Sequence, residues 1–327
     1  MLNIQFNSLI KLRRLMPLPA LILLVTLSLP SCSLKKLVLD KTADMLSGDM
    51  GTEVFSGDDD LELVGGALPF ALKLYETILS QNPEHTGLLL TTGMGFISYA
   101  NVFIQTPSFM LPDDRQEERE ALNARAKSMY LRGRNYLLKA LNVLHPGISD
   151  LIYAGRTEDA LKDMRASDVP FLYWAGTGWF AAIGVNVMDI NLTIEAKLAL
   201  SLVEKAFELE PDFGDGLIHE FYINYYASVP PGMIEGSEEK ALYHFSKSVE
   251  LSAGLNPMPY VSLAGTMAVK NQDYRQFRDL LTKALSIDPE SNPKNKLACT
   301  LAQRKAKWYL AHAEDFFIEV ISEGEES

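Results

Sequence analysis

The sequence predicts an all-α protein built of divergent helical hairpin repeats and closed by a C-terminal capping helix. Three observations carry that expectation. First, the run Lys205-Ala206-Phe207-Glu208-Leu209-Glu210-Pro211 recurs along the chain. Lys283-Ala284-Leu285-Ser286-Ile287-Asp288-Pro289 repeats it in register, residues 247–251 and 139–143 repeat its first five positions, and residues 77–83 keep the proline. Second, each copy reads as the end of a helix. The small residue allows close packing, the next positions supply apolar surface, and proline, which has no N–H to donate, stops the segment. Third, every strong segment after Leu63 carries apolar residues at helical spacing, and no stretch after residue 31 alternates apolar and polar over the length of a strand.

With Ile78, Ala140, Ala206, Ser248 and Ala284 taken as equivalent, the spacings are 62, 66, 42 and 36 residues. They shrink toward the about 34 residues of a tetratricopeptide repeat, which the later copies resemble most. Upstream positions agree: Ala71 and Tyr75 precede Ile78, Ala241 and Phe245 precede Ser248, and Gly265 lies nineteen residues before Ala284. No copy is complete, so the alternative is an irregular bundle of ordinary amphipathic helices.

Residues 1–31 read as a secretion signal, with Lys11, Arg13 and Arg14 ahead of an apolar run from 15 to 29 that is short for a bilayer span. It ends in Leu29-Pro30-Ser31-Cys32, which looks like a bacterial lipobox, and Cys32 is the expected site of lipidation. A plain signal peptide with a nearby cysteine is the alternative. Residues 32–62 are expected to form a lipidated, mobile tether, with a short helix at 34–46 and a glycine- and acid-rich remainder. Asp58-Asp59-Asp60 lacks the later ligands of a calcium loop.

The helical domain is placed at 63–320. Leu68, Ala71, Leu72, Tyr75, Ile78 and Leu79 form one stripe, and residues 87–103 form a helix so apolar all round that it should be buried. Residues 106–112 read as an insertion whose Phe109, Met110 and Leu111 need a cover, either a partner subunit or the domain itself. A long charged amphipathic helix follows at 114–144, then a short one at 157–164. The stretch Phe171-Leu172-Tyr173-Trp174-Ala175-Gly176-Thr177-Gly178-Trp179-Phe180 holds two of the three tryptophans, with small residues that let a backbone or a ligand approach. Further helices are expected at 191–210, 212–227, 238–251, 259–270 and 274–287, a capping helix at 296–317, and an acidic tail at 321–327.

Charge and composition exclude several function classes. The chain has 30 basic and 42 acidic residues; removal of residues 1–31 leaves 27 against 42, a net charge of −15. Such a surface repels nucleic acid and anionic lipid headgroups, so membrane attachment would come from acyl chains at Cys32. With Cys32 lipidated, Cys299 has no disulfide partner and reads as a buried small hydrophobe. The five histidines show no metal-ligand spacing, and His219-Glu220 is followed by Ile223 rather than a second zinc-binding histidine. Phosphate-binding and nucleophile-elbow motifs are absent as well, so neither catalysis nor a cofactor is expected.

The second half is similar to a known family. Residues 241–251, Tyr274-Arg275-Gln276-Phe277-Arg278-Asp279-Leu280-Leu281, the Tyr173-Trp174 to Trp179 band, and above all Leu297-Ala298-Cys299-Thr300-Leu301-Ala302-Gln303-Arg304-Lys305-Ala306-Lys307-Trp308 resemble the T component of TRAP transporters. Cys299 and Thr300 depart from the pattern, where asparagine is expected. The resemblance covers roughly residues 60–320. It implies a periplasmic all-helical lipoprotein that forms a homotrimer, binds the substrate-binding P component, and passes an apolar or carboxylate ligand through an internal tunnel. On aromatic character, Tyr173, Trp174, Trp179, Phe180 and Tyr222 are the expected tunnel residues. The rival reading is a lipid-anchored scaffold for envelope proteins that transports nothing.

Overall fold

The computed structural model describes the backbone of residues 30–230 and 232–320, and among these residues every regular element is helical. Nearly all of the secretion signal, the acidic tail and the side chain of Cys32 lie outside the described residues. The chain begins with α1 (Pro30–Ser47) and α2 (Asp49–Ser56), followed by α3 (Leu61–Gln81). Next comes α4 (Thr86–Ala100), which runs on through a π turn at Asn101–Gln105 to Thr106–Phe109. After α5 (Gln116–Leu144) come the short α6 (Ile148–Tyr153) and α7 (Thr157–Leu161), then α8 (Val169–Gly184). The short α9 (Ile190–Thr193) leads to α10 (Ala196–Leu209), α11 (Phe213–Ser228) and α12 (Ser237–Leu251). The chain ends with α13 (Met258–Leu263), prolonged by a second π turn at Ala264–Ala268, then α14 (Tyr274–Leu285) and α15 (Lys296–Ala311).

Local chemistry sets many of these starts. The Asp60 carboxylate accepts from the Leu63 N–H at 2.9 Å and Asp273 accepts from Gln276 at 2.9 Å, each satisfying an orphan donor of a first turn. His85 does the same for α4, its Nδ1 accepting from the Leu88 N–H at 3.0 Å. Helix α11 opens on a left-handed turn, Gly214-Asp215-Gly216, with φ of 65°, 54° and 94°. At the second glycine a Cβ would lie 2.9 Å from the Ser248 Cα of α12.

Neighbouring helices pair along the chain, α4 with α5, α5 with α8, α8 with α10, and α11 with α12. Helices α4 and α5 cross closely, and a Cβ on Gly133 would sit 2.6 Å from the Gly93 carbonyl oxygen. The five positions aligned by the sequence motif, Ile78, Ala140, Ala206, Ser248 and Ala284, are all buried. One large apolar core runs from Ala43 to Tyr222 and a second from Tyr260 to Phe317, bridged by Ile223, Ala227, Ala241, Leu263 and Met267. Thr86–Phe109 is long and apolar enough to cross a membrane, but half of its most apolar window is buried against the rest of the domain.

Two expectations change. Residues 32–62 were expected to be a mobile tether; instead α1 lies on α4 with Ala43 fully buried, Asn82 Nδ2 donates to Asp40 at 2.7 Å, and His85 Nε2 sits 3.1 Å from Asp44. The acids that suggested a solvated stalk serve as caps and pair partners: Glu53 meets Lys294 at 2.8 Å, and Asp58 accepts from the Asp60 N–H. Residues 106–112, expected as an insertion, continue α4 and turn onto the last helix.

That contact closes the array on itself. The Phe109 ring lies 5.0 Å from Trp308 and 5.6 Å from Tyr309, and Arg304 on α15 pairs with Glu62 on α3 at 2.7 Å. Phe109 thus packs on its own domain while staying 41% exposed, and α15 lies against the first helices of the chain as well as against α14.

Candidate functional site

The aromatic band of α8 is divided between two environments, because adjacent residues of a helix point about 100° apart. Trp179 is fully buried and faces α5 and α10. Its Nε1–H donates to Glu195 Oε2 at 2.9 Å, the Arg134 guanidinium covers its face at 4.5 Å, and Tyr153 lies 5.8 Å away. Arg134 Nη1 also reaches Glu195 at 3.6 Å, so the indole completes a partly buried network of cation and carboxylate. Gly176, between the two indoles, admits the backbone of α10 rather than a small molecule, since a Cβ there would lie 2.8 Å from the Ala199 oxygen.

The other aromatic positions come together across α8, α11 and α12. Tyr173 is buried, donates its hydroxyl to the Leu217 oxygen at 3.2 Å and packs on Phe213 at 5.3 Å, with half-buried Trp174 edge-on at 5.5 Å. Burial, then the charge of Glu220, raises the Tyr173 phenol well above its usual range. Phe180, also half-buried, meets Phe221 at 5.2 Å and Tyr225 at 5.9 Å. Tyr222 is buried against Phe207 at 5.2 Å and stacks on His244 at 4.7 Å. The structure therefore gathers Tyr173, Trp174, Phe180 and Tyr222 along one seam and sets Trp179 apart from them.

Two features of this region escape sequence reasoning. His219 and His244, 25 residues apart in the chain, are buried with their Nδ1 atoms 2.7 Å apart, so that one ring donates and the other accepts. Burial, then the charge of His219, holds His244 down to about 4. Among the described residues no group of three or more histidine, cysteine or acidic side chains is arranged to hold a metal ion. The second feature is a polar centre between α11, α13 and α15. The Asn256 amide donates to Glu220 Oε1 and accepts from the Met258 N–H at 2.9 Å, and Lys305 lies within electrostatic reach of Glu220. Burial pushes the Glu220 carboxyl up to about 7 and pulls the Lys305 ammonium below its ordinary range, while each partner's charge partly opposes the shift. Cys299 is buried beside it, its thiol turned to the Leu255 oxygen at 3.8 Å.

Where the array closes, an apolar recess of about 440 Å³ opens between α3, α4 and α15. Tyr99, Phe103, Pro107, Met110 and Leu301 wall it, and the Arg304–Glu62 pair stands at its rim. Gly65 makes room on one side: a Cβ there would strike the Phe103 ring at 2.8 Å. The π turn of α4 lies along this wall. Such extra-residue turns recur at functional sites because they redirect side chains out of helical register.

These features meet in a chain whose sequence matches a known profile. The profile of the TRAP transporter T-component family covers residues 57–317. The chain belongs to that family. An uncharacterized protein of Treponema pallidum (strain Nichols) is 34% identical over 303 residues, which span 88% of this chain and 94% of the relative. A T component is part of a transporter, which is not a catalytic role, and membership associates the chain with a TRAP transporter at the membrane or in the periplasm.

Proposed function

We propose that this T component is a non-catalytic periplasmic lipoprotein, anchored through Cys32, that forms a homotrimer, docks the substrate-binding P component of a TRAP transporter and passes an apolar or carboxylate ligand through its interior. The observation that carries the reading is the closure of the helical array by α15, with an apolar recess at the seam and a separate aromatic cluster on α8 and α11. A closed array has an interior, and aromatic walls favour an aliphatic ligand at roughly 25 cal/mol per Å² of apolar surface removed from water. Trp174 and Phe180, half-buried, are the aromatic residues with surface left to offer it, whereas Trp179 contributes packing.

Sedimentation of the purified lipoprotein with and without a P component, together with titration of a fluorescent fatty-acid probe, tests the reading. A trimer, a P-component complex and saturable probe binding support it; a folded protein that binds neither overturns it. The scaffold reading draws on a different feature, the exposed apolar turn of Val187, Met188, Ile190 and Ile194, held in shape by the Lys127–Asp189 pair at 3.1 Å. It predicts protein partners and no saturable probe binding.

A further inference from the structure

Helix α1 carries an apolar face that the rest of the domain leaves open. Successive residues of a helix point about 100° apart, so Leu37, Val38, Lys41 and Met45 share an arc of about 100° on the side opposite Ala43. Ala43 is fully buried against the body, whereas Leu37, Val38 and Met45 are 54%, 57% and 61% exposed. The polar contacts of α1 fix which side is turned out: Asn82 Nδ2 donates to Asp40 at 2.7 Å, and His85 Nε2 meets Asp44 at 3.1 Å.

Position and charge say what meets this face. Cys32, the proposed anchor, stands on the same helix, and at about 1.5 Å per residue Leu37 lies about 8 Å and Met45 about 20 Å from it along the axis. Acyl chains inserted there hold the face at the bilayer at high effective concentration, so a contact too weak to bind alone is made. Residues 33–47 hold Lys35, Lys36 and Lys41 against Asp40 and Asp44, a positive balance in a chain of net charge −12. The two acids are the ones engaged by Asn82 and His85, while Lys36 and Lys41 are exposed. Lysine stems lie along apolar surface and carry their ammonium groups out to polar surroundings.

We propose that α1 is an interfacial helix, lying in the plane of the bilayer surface with Leu37, Val38 and Met45 sunk into the headgroup region and Lys41 between them reaching lipid phosphates. The inference rests on the lipoprotein reading above and adds a fixed orientation to it. Helix α1 is then a rigid support rather than a mobile tether, and the α3–α4 turn that holds Asn82 and His85 sits directly on the lipid-bound helix. The recess at Phe103 stands about 25 Å farther along α4 from that turn.

The test uses the full-length lipoprotein in vesicles of phosphatidylcholine and phosphatidylglycerol, with and without brominated acyl chains. A fluorophore is attached to the variants Leu37→Cys and Met45→Cys and, as a control on the exposed connection between α8 and α10, Met188→Cys; Cys299 is buried and does not compete for the label. Labels on α1 are expected to sit about 5–10 Å into the headgroup–acyl boundary and to lose about half of their emission to bromine, with little loss at Met188. Leu37→Asp combined with Val38→Asp should leave circular dichroism and flotation with the vesicles unchanged but abolish quenching of a label at Met45→Cys. A lipoprotein that floats with its α1 labels unquenched overturns the inference and leaves the anchor standing, whereas one that does not float overturns both. Quenching that survives the double aspartate variant traces to the anchor alone and overturns the inference. So do α1 labels that are shielded only when a P component is added, which assigns the face to a protein.

Discussion

At the residue scale, Trp179 shows what a sequence can and cannot say about an aromatic. The band at 171–180 is conspicuous, but the direction of each ring is not, because direction depends on which neighbour lies against that side of the helix. The buried indole answers to Glu195 and Arg134. Trp179→Ala is therefore expected to destabilise the fold by about 3–5 kcal/mol, and Trp179→Phe by about 1–3 kcal/mol through the lost hydrogen bond to a carboxylate, both read from urea midpoints. The buried histidine pair makes a second prediction. His244 is held at about 4 in the folded state against an ordinary 6.5, so between those values the unfolded chain takes up protons that the folded one does not. Stability is whole above pH 6.5 and falls as the pH drops through that window, by about 1.4 kcal/mol per unit at the steepest. Urea midpoints from pH 7 to 4.5 should show the decline, and the double variant His219→Phe with His244→Phe should flatten it. Neither this pair nor the Glu220–Lys305 centre was legible in the sequence, since each joins residues from separate helices that only the packing brings together.

At the scale of elements, the sequence was most informative where a small residue marks a close crossing. Ala140, Ala206 and Ala284 stood out from the repeated motif and are fully buried. Gly133 carries the same logic further: an added methyl would meet the Gly93 carbonyl oxygen, which belongs to backbone and cannot swing away. Gly133→Ala is expected to cost about 1–3 kcal/mol despite the better helix propensity of alanine, measured by thermal or urea denaturation. Helix ends were legible within a few residues where proline or a cap fixes them. The π turns at Asn101–Gln105 and Ala264–Ala268 were not, because one extra residue per turn leaves the apolar pattern nearly intact. The docking of α1 and α2 was hidden for another reason: their acids and glycines have the composition of a linker, and only the partners Asn82, His85 and Lys294 turn them into contacts.

At the scale of the molecule, two apolar cores share one chain, joined by the small bridging cluster and by the seam at α15. Phe109→Ala combined with Arg304→Glu removes an aromatic contact from that seam and sets like charges against Glu62. The double variant should unfold in two separable urea transitions, the C-terminal core first, whereas the wild type should unfold in one. The seam also constrains how such a protein can change in length. An open stack of hairpins accepts another unit at either end without disturbing the rest. Here the last helix lies on the first ones, so an added hairpin would lift α15 away from Phe109 and Glu62. Relatives should therefore keep the number of hairpins and vary in the connecting turns, such as residues 185–195 and 229–236, where the chain can lengthen outward without parting the two ends.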